Sequence, residues 1–336
     1  MGAKTGIAWT GATWNFIRGC SKISPACGHC YAQELSHRFG WTSLPWTEAN
    51  AAINVQMLPE RLEIPTRWPE PKTIFVNSIS DFFHTQVTDD FIAAAFAVMA
   101  ATPRHTYQVL TKRAERLNSL LNSPSFWALV ESHLAVRAAK AKGKAARTGQ
   151  IDELTQAAMR THHFLPNVYL GVTIENNRWA ERARLLAATP AARRFISSEP
   201  LLGPIDAINL DWIDQLIVGG ESGPGARRMD PAWVEGAQAQ AHDAGAAFFF
   251  KQMGNALARE RGLTGKGVDP TQWPALWRMR QSPIRLSADA AISRELCQSV
   301  SVGSQLRAHA TGIEAADVRS SFRGLGGEPL DELSVW

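Results

Sequence analysis

Between about residues 70 and 250 one pattern recurs: a short apolar run, a few polar or glycine residues, then a stretch of helical character. The runs are Thr73–Val76, Thr106–Leu110, Val168–Val172, Arg194–Ile196, Gln215–Val218 and Ala246–Phe250, rich in the Val, Ile, Phe and Tyr that strands favour. Between them, Thr88–Ala101, Arg113–Leu121, Asn177–Ala188 and Pro231–Ala244 read as helices, and an earlier strand is expected over Thr13–Ile17. Such alternation argues for βα units and a mainly parallel sheet. The runs are nearly continuous in apolar character, as expected where helices cover a sheet or the sheet curls into a barrel.

The residues just after each run bear on function. They are NSISD after Val76, TKR after Leu110, TIENN after Val172, SSEP after Ile196, GGESGPGARR after Val218 and KQMG after Phe250. Polar residues therefore recur at the carboxyl ends of successive strands, where barrels and open α/β sheets place their sites. Many strand ends feeding one mouth suit a partial or complete TIM-like barrel of about six to seven mainly parallel strands, and that α/β fold is the expectation. We expect it over residues 1–255, with 126–165 as a longer helical crossover. Residues 256–336 read as a weakly structured C-terminal extension, with one short helix near Asp289–Cys297.

The 35 Lys and Arg against 31 Asp and Glu leave a formal charge of +4, which tolerates an anionic partner without requiring one. The clearest basic stretch is Arg137, Lys140, Lys142, Lys144 and Arg147, read either as a solvated face or as a nucleic-acid contact. Trp9, Trp14, Trp41, Trp46 and Trp68 invite a base-stacking reading, but their irregular spacing makes core and loop packing the plainer account. No apolar run approaches about 18 residues, and the start MGAKTGIAWTGATW has no apolar signal core. Neither a membrane span nor a secretory leader is expected, and the expected location is cytoplasmic.

Three of the four cysteines, Cys20, Cys27 and Cys30, fall within eleven residues. Structural disulfides persist mainly in oxidising compartments, so metal or redox chemistry accounts better for them. Two residues between Cys27 and Cys30 let both sulfurs meet one centre, and Pro25 and Gly28 favour a looped backbone that returns Cys20 to it. Three thiolates leave one position of a tetrahedral zinc, or one iron of a four-iron cluster, without a protein ligand. For zinc, His29 stands between two candidate ligands, His37 is seven residues past Cys30, and Cys297 is distant. A cluster with one externally ligated iron, a structural zinc, or incidental buried thiols all remain open on the residues alone.

The strand ends supply candidate ligand groups. Asn77, Ser78, Ser80 and Asp81 can accept from an ammonium group, or Asp81 can simply cap the next helix. Lys112, after Thr111, suits an anion or a solvent-exposed rim. Thr173, Glu175 and Asn176 suit ribose hydroxyls or a base edge, or form a satisfied polar cap. Glu199 is a carboxylate too costly to bury without a partner. Gly219–Gly225 matches neither the dinucleotide fingerprint nor a P-loop, and its glycines permit close backbone approach to a ligand. It leaves Glu221 as an oriented carboxylate and Arg227 or Arg228 as anion binders, and Lys251 and Gln252 complete the set. Glu221, Arg227 and Lys251 are placed nearest the substrate, as candidate catalytic residues.

The stretch IAWTGATWNFIRGCSKISPACGHCYAQEL, with IFVNSISDFFH, YQVLTKR, VYLGVTIENN, RFISSEPLLGPI, LIVGGESGPGARRMDPAWV and FFFKQMG after it in that order, resembles a phage- and prophage-associated branch of the radical S-adenosylmethionine superfamily. The likeness covers about residues 5–255. The wider superfamily places three residues between its first two cysteines; the six found here are an expansion, and His29 stands where an aromatic residue is common.

The resemblance implies that Cys20, Cys27 and Cys30 hold three irons of a [4Fe-4S] cluster. The fourth iron would take the amino and carboxylate groups of S-adenosylmethionine, with one electron cleaving the sulfonium bond to give methionine and a 5′-deoxyadenosyl radical. It implies further that Asn77, Ser78, Ser80 and Asp81 grip the methionine amino group and that Thr173, Glu175 and Asn176 contact the cofactor, to which Lys112 and Glu199 are added from their strand-end positions. An electron donor such as flavodoxin or ferredoxin is the expected partner, with nucleic acid as one candidate substrate. The alternatives are a zinc-stabilised nucleic-acid-binding protein without catalysis and a cluster-bearing regulatory protein.

Overall fold

The computed structural model describes residues 5–140 and 153–283. Its strands are β1 (Ala12–Trp14), β2 (Ile17–Arg18), β3 (Gln56–Met57), β4 (Thr73–Val76), β5 (Thr106–Thr111), β6 (Val168–Thr173), β7 (Arg193–Ser198), β8 (Gln215–Gly219) and β9 (Ala247–Gln252). Seven of them form one sheet in the order β1-β4-β5-β6-β7-β8-β9, every adjacent pair parallel. The sheet curls through about 200° into an open half-barrel, the partial TIM-like barrel that the βα alternation predicts. The strand expected over Thr13–Ile17 is divided in two. Phe16 N and Ile17 N both donate to Asn77 Oδ1 at 3.1 Å, so a side chain takes the amides that a continuous ladder would use. The chain turns there, and β2 pairs antiparallel with β3 outside the main sheet.

Continuous apolar character along the strands has a direct cause: both faces of the sheet are buried. Ile74, Val76, Val109, Leu170, Val172, Ile196, Leu216, Val218, Phe248 and Phe250 pack outward with the helices in the main core. The alternate residues Phe75, Tyr169, Phe195, Ile217 and Phe249 form a second, smaller core with Trp9 and Leu110. Trp9 lies 4.6 Å from the Phe75 ring and 6.2 Å from that of Phe195, laying an aromatic floor on the concave face. At Gly171 a Cβ would meet the Phe195 ring at 2.4 Å, so only glycine leaves that ring room to lie over the sheet.

The helix Asp89–Ala100 begins where Thr88 Oγ1 accepts from Phe91 N at 3.3 Å, with Asp89 and Asp90 in its first turn favouring the positive helix end. It buries Phe96 against Phe126 and Trp127 of the helix Pro124–Lys140, with centroids 5.4 and 5.8 Å away. An aromatic ring so buried contributes about 1.5–3 kcal/mol. That helix, which starts two residues before the expected crossover, and the helix Glu153–His162 account for its described part, and the first of them carries Arg137 and Lys140 in its last turn. Lys142, Lys144, Arg147, the expected helix Asp289–Cys297 and Cys297 itself lie outside the described residues.

Past residue 255 the chain continues to pack on the barrel. Phe250 N donates to Met279 O and Gln281 N to Phe248 O, both at 2.9 Å, covering the open edge of β9. Trp273 and Trp277 are buried with ring centroids 4.8 and 5.0 Å from Phe250. Among the described residues no helix is long and apolar enough to cross a membrane.

Candidate functional site

The cysteine segment is fastened over the carboxyl ends of the strands, and each fastening is traceable to a residue. Gly19, at φ +76°, forms a parallel bridge with Ser80 just after β4. A Cβ at Gly19 would stand 2.0 Å from Asn54 O, so the turn that delivers Cys20 requires glycine. Ser24 Oγ donates to Glu175 Oε1 at 2.6 Å after β6, and His29 Nδ1 meets Glu221 Oε2 at 3.1 Å after β8. The Tyr31 hydroxyl donates to Ser78 O. Cys20, Cys27 and Cys30 are free thiols and partly buried.

Four acids at the strand ends each have a dedicated base. Asp81 Oδ2 accepts from Arg113 Nη1 at 3.2 Å, Glu175 Oε2 from Arg182 Nη1 at 2.9 Å, and Glu199 Oε1 pairs with Lys251 Nζ at 2.9 Å. Glu221 is gripped by Arg227 through Nε at 2.9 Å, through Nη2, and through the backbone N at 2.8 Å. Burial works against the Glu221 carboxylate, yet these donors and His29 outweigh it and hold the carboxyl below its usual range. The mouth is therefore electrically self-compensated at four strands.

This arrangement assigns the expected site residues to definite partners. Asp81 also accepts from Thr111 Oγ1 at 2.6 Å, Phe83 N at 3.0 Å and Lys112 N at 3.1 Å, so it ties β4 to β5. It does not cap the following helix, since Thr88 does. Asn77, at φ +55°, holds the β1–β2 turn, and Ser78 Oγ donates to Asn15 Oδ1 at 3.2 Å. Asn176 Oδ1 caps the turn Asn177–Trp179 through Arg178 N at 3.1 Å, the polar cap weighed as the alternative to the cofactor contact expected of it. Thr173 O accepts from Arg182 Nη1 at 2.9 Å. Glu199 Oε2 accepts from Trp9 Nε1 and Ser197 Oγ, each at 3.2 Å. Glu221 with Arg227, and Lys251 with Glu199, are thus two separate ion pairs. Arg228 turns away to Glu260 at 2.5 Å.

The glycine-rich junction admits close backbone approach, but of the chain's own backbone. A Cβ at Gly220 would stand 2.0 Å from Met253 O, and Gln252 Nε2 donates to Gly220 O at 2.9 Å. The loops after β8 and β9 are locked together. Three polar groups beside the cysteine segment keep free valences: Ser80 Oγ and Asn77 Nδ2 are buried without a partner, and no described residue accepts from the Lys112 ammonium.

Several site residues carry no motif. Arg113, expected to belong to the next helix, precedes it and points back, its Nη1 3.6 Å from Cys20 Sγ and its Nη2 2.9 Å from Ser21 Oγ. Ser21 Oγ donates to Glu48 Oε2 at 2.6 Å and lies 2.8 Å from His84 Nε2. Gln86 N donates to His84 Nδ1, so Nε2 carries the ring proton and donates to Ser21. Burial, and after it Arg113, lowers His84 to about 4 and keeps it neutral. Burial and the Asp81 charge push the Cys20 thiol up to about 12 against the opposing pull of Arg113. Arg113, His84 and Ser21 lie in the stretches YQVLTKR, IFVNSISDFFH and the cysteine opening, but nothing in the sequence signals that they meet, and Glu48 lies in none of them.

The geometry defines an α/β half-barrel protein whose mouth is crossed by a three-cysteine segment. The chain belongs to the family described as "Protein of unknown function (DUF5131)", which matches residues 4–320. No curated protein and no solved structure matches the chain.

Proposed function

We propose that the protein is a radical S-adenosylmethionine enzyme whose Cys20, Cys27 and Cys30 hold a [4Fe-4S] cluster. The carrying observation is that a segment with three free thiols is fastened by side chains to the ends of β4, β6 and β8, over the mouth of an open parallel half-barrel. The donor set suits a polynuclear group with one external ligand. Three thiols come from one segment, a guanidinium stands beside Cys20, and Ser80 Oγ and Asn77 Nδ2 are left for a ligand. Among the described residues no three His, Cys, Asp or Glu side chains are gathered closely enough to hold a metal ion, Cys20, Cys27 and Cys30 included, so the three thiols would have to draw together on whichever metal group they take.

When bound and reduced, the cluster would supply the electron that cleaves the S-adenosylmethionine sulfonium bond, yielding methionine and a 5′-deoxyadenosyl radical for hydrogen abstraction. The chain's own residues would position and exclude. Arg113 would compensate the thiolate of Cys20, Lys112 would receive an anionic group, and the Trp9–Phe75–Phe195 floor would close the concave face to water. The electron would come from a one-electron carrier such as flavodoxin or ferredoxin.

The test is anaerobic reconstitution of the full chain with iron and sulfide, and then addition of S-adenosylmethionine and reductant. The expected result is broad absorption near about 400 nm and reductant-dependent 5′-deoxyadenosine, both abolished by Cys20→Ser, Cys27→Ser or Cys30→Ser. Stoichiometric zinc with no capacity for iron and no cofactor cleavage would overturn the proposal.

A further inference from the structure

The cysteine region also carries a surface that its chemistry does not use. The helix Tyr31–Arg38 starts beside Cys30 and, at eight residues, carries the chain about 12 Å from that thiol. It ends in Arg38 and Phe39. The Phe39 ring is 56% exposed and stacked on Trp41, with centroids 5.0 Å apart and planes 20° apart. The guanidinium of Arg18 lies over the Trp41 ring at 4.8 Å, and that of Arg38 lies 6.0 Å from the Phe39 centroid. Neither guanidinium is hydrogen-bonded or ion-paired to a described residue. Phe82 and Phe96 also stack, at 13°, but both are buried in the core. Phe39 and Trp41 are a flat pair at the surface.

A packing role does not account for this. An exposed ring contributes little to burial, and neither guanidinium is ion-paired to a described carboxylate; burial and then Arg61 lower Arg18, against the smaller opposing pull of Glu60. Aromatic planes flanked by unpaired arginines match the two repeating groups of an unpaired polynucleotide, a π-face and a phosphate. Aromatic rings and arginines also anchor protein interfaces, so the comparison of base-bearing and abasic strands carries the distinction.

We propose that the Arg18–Trp41–Phe39–Arg38 stack is a platform for single-stranded nucleic acid, with a base on Phe39 and phosphates on the two arginines. It narrows the substrate class left open above and does not rest on the cluster, because binding requires neither iron, S-adenosylmethionine nor reductant.

The experiment is fluorescence anisotropy with a labelled single-stranded oligonucleotide and an abasic one of equal length, titrated with the full chain, before and after reconstitution, over a range of salt. Phe39→Ala is expected to weaken binding about ten- to a hundred-fold without changing the salt slope, while Phe39→Trp retains it. Arg38→Gln should flatten the dependence of log K on log salt by about 0.7. The abasic strand should bind the native chain as weakly as the base-bearing strand binds Phe39→Ala. Wild-type affinity in Phe39→Ala of unchanged melting temperature, equal binding of the abasic strand, or no binding at low salt would each overturn the proposal.

Discussion

His29 Nδ1 lies 3.1 Å from Glu221 Oε2, joining the cysteine segment to the end of β8 across 192 residues of chain. The same carboxylate is held by Arg227, so Glu221 is an anchor for the segment whatever passes through the mouth.

Glu221→Gln should therefore loosen the segment as well as the fold. Leaving buried donors imperfectly met costs about 1–3 kcal/mol. Because the folded carboxyl sits below its ordinary 4.5, the charged pairing contributes fully above that value and is lost as pH falls through the folded value. Urea midpoints of the native chain should fall in this acid range, and those of Glu221→Gln should fall less. Limited proteolysis within residues 20–31 should be faster in the variant; unchanged cleavage would remove its anchoring role.

Cys20 makes a separate prediction in metal-free protein. With its thiol pushed up to about 12, the thiolate fraction near neutrality is small, and alkylation read by peptide mass spectrometry should accelerate with pH without reaching a plateau by pH 9. Asp81 is one cause of the rise, so Asp81→Asn should speed Cys20 alkylation, by about tenfold for each unit recovered. A slower reaction in Asp81→Asn would show that Arg113 needs Asp81 to stay beside the sulfur.

The neutral, buried His84 adds an acid sensitivity of the opposite charge type. Its folded value of about 4 lies below the ordinary 6.5, so its contribution is complete above 6.5 and is lost as pH falls toward 4, when the unfolded chain gains the proton first. The loss amounts to roughly 2 kcal/mol. His84→Gln, which keeps a donor toward Ser21 Oγ, should flatten the stability profile between those limits. A native profile already flat from pH 6.5 to 4 would contradict the burial of a neutral ring.

The sheet was legible because both of its faces are buried, which wrote each strand as an apolar run: Thr73–Val76 is a strand at its expected bounds, and the five later strands agree with expectation to within two residues at either end. Residues that act through long-range pairing left no such trace. Nothing near Ser24 announces Glu175, 151 residues away, and nothing near Trp9 announces Glu199. Position at a strand end marked Asp81, Glu175, Glu199 and Glu221 as important, and burial cost called for a partner to Glu199, but the sequence does not say that Lys251 is that partner, that Arg113 serves Asp81, or that Arg227 turns back to Glu221 and not outward to an anion. The division of Thr13–Ile17 was hidden for the same reason, since it depends on the amide-accepting side chain of Asn77 after β4.

Of the four pairs at the mouth, Glu199–Lys251 is best placed to be measured on its own. The two residues end strands on either side of β8 in the curled sheet, β7 and β9, and the Gly219 backbone lies between them: a Cβ there would stand 2.9 Å from Glu199 Oε1 and 3.5 Å from Lys251 Cβ. Both side chains are largely buried, 13% and 21% exposed, so their attraction is little screened. Lys251→Met leaves Glu199 with only Trp9 and Ser197 as donors, and should destabilise more than Glu199→Gln, which leaves a cation able to turn toward solvent. A double-mutant cycle by urea denaturation should return a coupling of about 1–3 kcal/mol that survives added salt. A coupling near zero, or one that salt abolishes, would place the pair in open solvent and remove Lys251 from the mouth.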